Sequence, residues 1–320
     1  MRFQPKSALL ALFVVAACDE GGNPLILNNQ PLNPGAPVVT DQIPADILGD
    51  IASFEYDHDA GTLTVTGLTL DENGDPSAYA RAPGLDTNGY IAFIAQDDPL
   101  DRHVTALVLE SANAGAVRGG VIVTGGLANR YFGGTYYERD GGFDPAQVAG
   151  TTGLVSYAGT YVGLTNIAGD GGTLLPVPVG TDPALVPTDA AEVTGSVFLN
   201  ADFSDNAVEG AVFDRELADS GLALPSIVFV AGTIDAEGYF TGAVEYDGVV
   251  GTSIGSYGGV FGGQNSESVA GGVFLGEFDG EGNPLNLESE EERGVFVLDQ
   301  CGTPGANAAI CDEVNPTGGF

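Results

Sequence analysis

Reactive side chains are scarce in this 320-residue chain: two histidines and three cysteines stand beside 44 Asp and Glu. His58 lies in Asp57-His58-Asp59, whose residue types suit a metal, but three adjacent residues in a turn rarely converge on one ion. His103 follows Asp101-Arg102 at the start of a candidate strand and is expected as a solvated edge residue. Any Ser-His-Asp triad would need one of these two histidines. Asp71-x-Asn73-x-Asp75 has the spacing of a calcium loop, yet Pro76 stands where the sharp-turn glycine belongs, so turn chemistry is the better account. Gly119-Gly120 does not open a helix, which argues against a phosphate cradle. Paired carboxylates are too abundant to single out an acid and a base. Cys301 and Cys311 are separated by nine residues. Outside the cytoplasm, that pair reads as an intramolecular disulfide stapling a tail, 301–320. The sequence therefore points to a protein that binds rather than catalyses, with no cofactor and no metal expected.

The third cysteine carries a different chemistry. Arg2 and Lys6 precede an apolar run, Ser7 to Val15, too short for an ordinary membrane helix. The tetrad Val15-Ala16-Ala17-Cys18 that follows resembles the lipobox of bacterial lipoproteins. The resemblance implies cleavage of a signal peptide, 1–17, and acylation of Cys18, whose thiol alone can give the thioether. A plain secretory signal cut near Ala17 is the alternative. Several acyl chains would anchor the chain stably in a bilayer. Asp19 leaves open which envelope membrane receives it. Cleavage leaves seven cations, all arginine, against 44 acids, a net charge of −37. Such a surface repels nucleic acid and anionic head groups. It reads first as a well-solvated coat for a salty medium, and second as a surface for cations or a basic partner.

These residues need elements to hold them. Hydrophobic residues make up 43% of the chain, enough for a real core. Glycine, at 49 residues, is about twice its ~7% average share and suits short strands joined by tight turns. Residues 18–48, rich in Asn, Pro and Gly, read as a flexible tether. From 49 the pattern alternates in short runs. A hairpin is expected over 51–56 and 62–66, then strands near 90–95, 104–110, 117–124 and 130–138; 142–150 could form one helical turn. In a second block, eight strands are expected at 154–161, 192–201, 207–213, 226–234, 239–246, 254–262, 268–278 and 294–299. Eight runs fit a closed antiparallel barrel, which leaves no open sheet edge. The long connection 169–191 holds four prolines and the apolar stretch Leu174-Leu175-Pro176-Val177-Pro178-Val179. That stretch is either a ligand-binding segment or a flap folded over the barrel end.

Gly258-Gly-Val-Phe-Gly-Gly-Gln-Asn-Ser-Glu-Ser-Val-Ala-Gly-Gly-Val-Phe274 resembles a hairpin of the β-barrel domains in transferrin-binding-protein-B-like surface lipoproteins. Gly263, Asn265, Glu267, Val269, Gly271 and Gly272 keep the family frame; Gln264 replaces its usual proline and Ala270 is an added small residue. Gly195–Phe203 with Val208–Gly210, and Ile227–Phe229 with Gly238–Gly242, resemble two further strand pairs of that family. The resemblance covers 151–300 and implies an all-β protein: a small handle-like β domain at 49–150, then an eight-stranded antiparallel barrel. It further implies an envelope lipoprotein, lipid-anchored in the outer membrane and displayed at the cell surface, that captures a protein or small-molecule ligand. The glycines of the hairpin build the barrel and are not themselves a binding site. A structural or adhesive lipoprotein is the second reading, and an extracytoplasmic hydrolase the third.

Overall fold

The structure, a computed structural model, describes residues 42–68, 77–128, 130–147, 154–276, 278, 285 and 287–314. Cys18, most of the tether and the calcium-loop-like segment 71–76 lie outside the described residues.

A seven-stranded antiparallel meander comes first: β1 (Ser53–Asp57), β2 (Thr62–Thr66), β3 (Ser77–Arg81), β4 (Ile91–Ala95), β5 (Val104–Glu110), β6 (Val117–Thr124) and β7 (Gly133–Arg139), paired in sequence order. The first hairpin turns where Asp57 accepts the backbone N–H of Ala60 and Gly61 adopts φ +63°, as the Asp-x-x-x-Gly spacing requires. Residues 142–147, expected to hold a helical turn, have no regular structure. Instead Phe143 packs against Phe203, and Asp144 accepts the N–H of Asn265 in a barrel hairpin, so tertiary contacts replace the helical hydrogen bonds.

The second block is a closed antiparallel barrel of eight long strands: β8 (Leu154–Ala168), β9 (Ala190–Asp202), β10 (Ala207–Leu217), β12 (Ile227–Ile234), β13 (Tyr239–Tyr246), β14 (Ser253–Gly262), β15 (Ser268–Gly276) and β16 (Glu291–Gln300). A two-residue strand, β11 (Leu222–Ala223), pairs with the end of β10. Each long strand pairs with the next, and β16 pairs with β8, which completes the ring. β10 and β16 run past their expected limits, because polar residues that seemed to end them are buried in the wall. Glu292 and Arg293 extend β16 backwards, and β10 continues beyond Phe213 through a bulge. Asp214 there takes φ 51°, and the register shifts between Phe213 and Glu216. The extra residue flips the side-chain parity, so Arg215 and Leu217 point into the barrel.

The barrel interior is packed with rings. Tyr257 stacks on Phe229 at 4.6 Å, and Phe240, Phe261, Phe296 and Tyr157 fill the layers around them. Gly259 and Gly271 make room: a Cβ would meet Phe240 at 2.4 Å and Phe296 at 2.2 Å respectively. Near one end sits a buried polar group. Arg215 donates to Glu292 at 2.6 Å and to the Pro225 carbonyl, and Tyr161 donates to the other Glu292 oxygen at 2.5 Å.

The two sheets share a core. Val260, Ala270 and Val297 of the barrel wall pack with Phe54, Val117, Ile122 and Tyr136 of the meander. A short helix, α1 (Ala45–Leu48), fills the seam, with Ile47 fully buried and Arg293 donating to the Asp46 carbonyl at 2.7 Å. The segment expected as tether is thus packed from about Ile43 onward. After β16, Cys301 and Cys311 form a disulfide, and α2 (Ala308–Val314) lies against β8 and β9.

Candidate functional site: the open end of the barrel

In an up-and-down barrel the hairpins alternate between two ends, and here the ends differ. One end carries the tight turns 203–206, 235–238 and 263–267, together with the disulfide-closed tail, whose Cys301 N–H donates to Ser156. The meander closes over it: Arg139 donates to the Glu237 and Phe261 carbonyls and lies over the Tyr239 ring at 5.4 Å. Asn113 reaches Asp299 at 3.0 Å and Thr303 at 3.3 Å. Burial raises the Asp299 pKa, while Ser268 and the Ala112 and Asn113 N–H groups pull it back.

The opposite end carries the connections 169–189, 218–226, 247–252 and 277–290. Six large hydrophobic side chains are exposed among the described residues, and five belong to these connections: Leu175, Val179, Leu185, Val250 and Leu287. Val250 is 91% exposed and Val179 is fully so. The sixth, Leu100, projects from the meander loop that holds the long connection in place. Monomeric surfaces rarely gather apolar tips without a use for them.

The long connection is ordered by its roots. Across the domains the Thr188 N–H donates to the Gly126 carbonyl and the Gly126 N–H donates to the Thr188 hydroxyl, Leu175 donates to Gln96 Oε1 at 2.8 Å, and Asp189 accepts from Thr173 and from Gly171. Of the candidate stretch, Leu175, Pro176, Pro178 and Val179 are exposed, while Leu174 and Val177 are half-buried. The stretch is held by these bonds at the open end. Val250, Leu185, Leu287 and Leu100 were not singled out in the sequence. The signal for Val250 was there: Val249-Val250 sits between Gly248 and Gly251, where a turn normally carries polar residues.

His103 is fully buried, not a solvated edge residue, and neither ring nitrogen has a hydrogen-bond partner among the described residues. The long connection covers it, since the His103 carbonyl accepts from Gly125, which packs on Thr188. Burial lowers its pKa, with Asp189 opposing. His58 remains in its turn, 3.1 Å from Glu110. Among the described residues no group of three or more His, Cys, Asp or Glu is placed to hold a metal. Gly251-Thr252-Ser253-Ile254-Gly255 has the Gly-x-Ser-x-Gly spacing of a nucleophile elbow. The structure puts it at a hairpin entering β14, not at a strand–helix turn, and the Ser253 hydroxyl donates to the Gly255 carbonyl. Both histidines belong to the other domain. No helix among the described residues is long and apolar enough to cross a membrane.

No known family model matches the chain, and no curated protein matches it. Solved structures do. Transferrin-binding protein B from Haemophilus parasuis, as a double mutant, is 12% identical at a TM-score of 0.39, over 78% of this chain and 53% of that one. Isotype 1 transferrin-binding protein B from serogroup B Neisseria meningitidis is 15% identical at a TM-score of 0.32, over 78% and 52%. A protein described as a surface lipoprotein is 16% identical at 0.33, over 79% of this chain and 99% of that one. The chain spans about half the length of the two transferrin-binding proteins it matches.

Proposed function

We propose that this is a lipid-anchored envelope protein, displayed from the outer membrane through acylated Cys18, that captures a protein or small-molecule ligand at the open end of its barrel without catalysis. The observation that carries the reading is the gathering of Leu175, Val179, Leu185, Val250 and Leu287 at one end. The other end is closed by the first domain and the tail. The barrel itself is a packed scaffold, and its filled interior favours capture on the loops over capture in a lumen.

The test is site-specific photo-crosslinking on intact cells in their native medium. A photoreactive residue at Val179 or Val250 should give discrete adducts, and one at Ser204, at the closed end, should give none. Adducts from Ser204 alone, or from none of the three, would remove the open end as a capture surface. Protease shaving of the same cells should release peptides from 49–320. Full protection, with a periplasmic control equally protected, would place the protein facing inward.

A further inference from the structure

The connections at the open end are acidic in sequence. The four together carry ten Asp and Glu and no Lys, Arg or His. All cationic contact there must come from the first domain, and the use made of the seven arginines shows where. Arg81 is paired with Asp86, Arg118 with Glu110 and Glu138, and Arg215 with Glu292. Arg139 and Arg293 lie in the domain seam and tie the two domains through carbonyls across it. Arg102, from the β4–β5 loop, and Arg130, from the β6–β7 turn, remain, and the bonds of Arg102 stay within its own domain.

Arg102 is held in place by its own domain. It donates to the Arg130 carbonyl at 2.8 Å and the Leu127 carbonyl at 3.1 Å, and it lies 5.0 Å over the Phe132 ring. Arg130 is exposed. Among the described residues neither guanidinium has a carboxylate within ion-pairing distance, although the chain has 44 acids. The two charges oppose each other instead: burial and the neighbouring Arg130 both lower the Arg102 pKa. The pair abuts the open end. Asp101, next in sequence, accepts from Gln96, whose other amide atom accepts from Leu175, and exposed Leu100 lies alongside.

We infer that Arg102 and Arg130 form an anion-recognition point at the rim of the open end, which receives a carboxylate on a protein ligand whose flanking apolar side chain rests on Leu100 and Leu175. A planar fork already fixed by carbonyls and a ring loses little freedom on binding a carboxylate. The apolar neighbours favour a side-chain carboxylate in a polypeptide over a bare phosphate. The long-range field of the chain opposes any anion, but at physiological salt it is screened beyond about 8 Å, whereas the contact pair is not. The inference refines the capture reading above and rests on it.

The experiment uses the full mature chain in detergent, with the arginine Nε–Hε and leucine and valine methyl signals followed by NMR. The probes are an acetylated, amidated Leu-Glu-Leu peptide, its Leu-Gln-Leu counterpart, and inorganic phosphate. The Glu peptide should shift Arg102 and Arg130 saturably and leave the other five arginines still. Both the Gln peptide and the R130Q variant should weaken binding about tenfold, while R130K, which keeps the charge, should restore most of it. If the Leu175 and Val250 methyls respond while Arg102 and Arg130 stay silent, the anion point is wrong and the capture surface stands. Silence at both overturns both. Phosphate shifting the pair at lower concentration than the Glu peptide would overturn the carboxylate assignment.

Discussion

Along β10, on the side of the barrel away from the first domain, buried and open residues alternate until the bulge at Asp214. Along β16, on the side facing the first domain, every residue from Glu292 to Asp299 is buried. Both strands line the same interior, so the difference lies on the outside. β10 presents Glu209 and Glu216 to water, whereas β14, β15 and β16 present Gly258, Val260, Ala270, Gly272, Val295 and Val297 to the meander. A sheet with one wet face alternates; a sheet covered on both faces reads as a continuous apolar or small-residue run. The Gly-rich hairpin is therefore small in two directions. Gly259 and Gly271 admit rings from within, and Gly258 and Gly272 admit Tyr137, Ile47 and Thr135 from without.

The strongest way to break this comparison is at the buried ion pair that ties the two walls through the interior. Glu292→Ala strands Arg215 without its partner and should cost about 3–5 kcal/mol, read from urea unfolding. Arg215→Met combined with Glu292→Leu should recover most of that loss, and a double variant as weak as the single would show that more than the pair had been broken. Next, added bulk should be felt on the covered wall alone. Gly272→Val places carbon 2.7 Å from Ile47 and Thr135 and should cost about 1–3 kcal/mol. Glu209→Val on the open wall should stay within about 0.5 kcal/mol. Equal costs would mean that the walls are not unlike in packing.

A smaller effect is expected from Tyr90, whose hydroxyl lies between the sheets, accepting from the Val297 N–H at 3.1 Å and donating toward the Val295 carbonyl at 3.3 Å. Tyr90→Phe should lose about 1–2 kcal/mol, because the Val297 N–H is left buried without its acceptor. A pH dependence is expected where β9 meets the first domain. Burial pushes the Glu192 carboxyl up to about 7, with Thr87 pulling it back and Asp219 adding to the rise. A folded-state pKa above the unfolded one means that Glu192 costs nothing below about pH 4.5 and destabilises progressively as pH rises through 7. Glu192→Gln should raise the urea midpoint far more at pH 8 than at pH 4; a gain of equal size at both would remove titration as the cause.

Alternation and turn residues were enough to read the all-β class, the eight barrel strands and their hairpins, because those signals are local. Gly61, Gly238 and Gly263, all at positive φ, sit in turns that the sequence marks with Asp, Asn and Gly. The pairing of Cys301 with Cys311 was equally legible, being ten residues apart in a tail with no competing cysteine but the lipobox one. The apolar stretch at 174–179 was visible as an anomaly in a loop. Its companions Val250, Leu185 and Leu287 were not, since single apolar residues in turns are ordinary until several share one end.

What the chain alone determined was which segments become strands and where they turn. Tertiary structure decided which faces of those strands meet water. His103 reads as an edge residue from Asp101-Arg102-His103, yet Thr188 and Asp189, more than 80 residues later, close over it. Arg215 reads as a polar strand end, yet a bulge turns it inward to Glu292, 77 residues away. Arg102 and Arg130 read as two scattered cations, and the β6–β7 turn places them together beside the open end. In each case the deciding partner lies far along the chain, and no local pattern of period two carries its position.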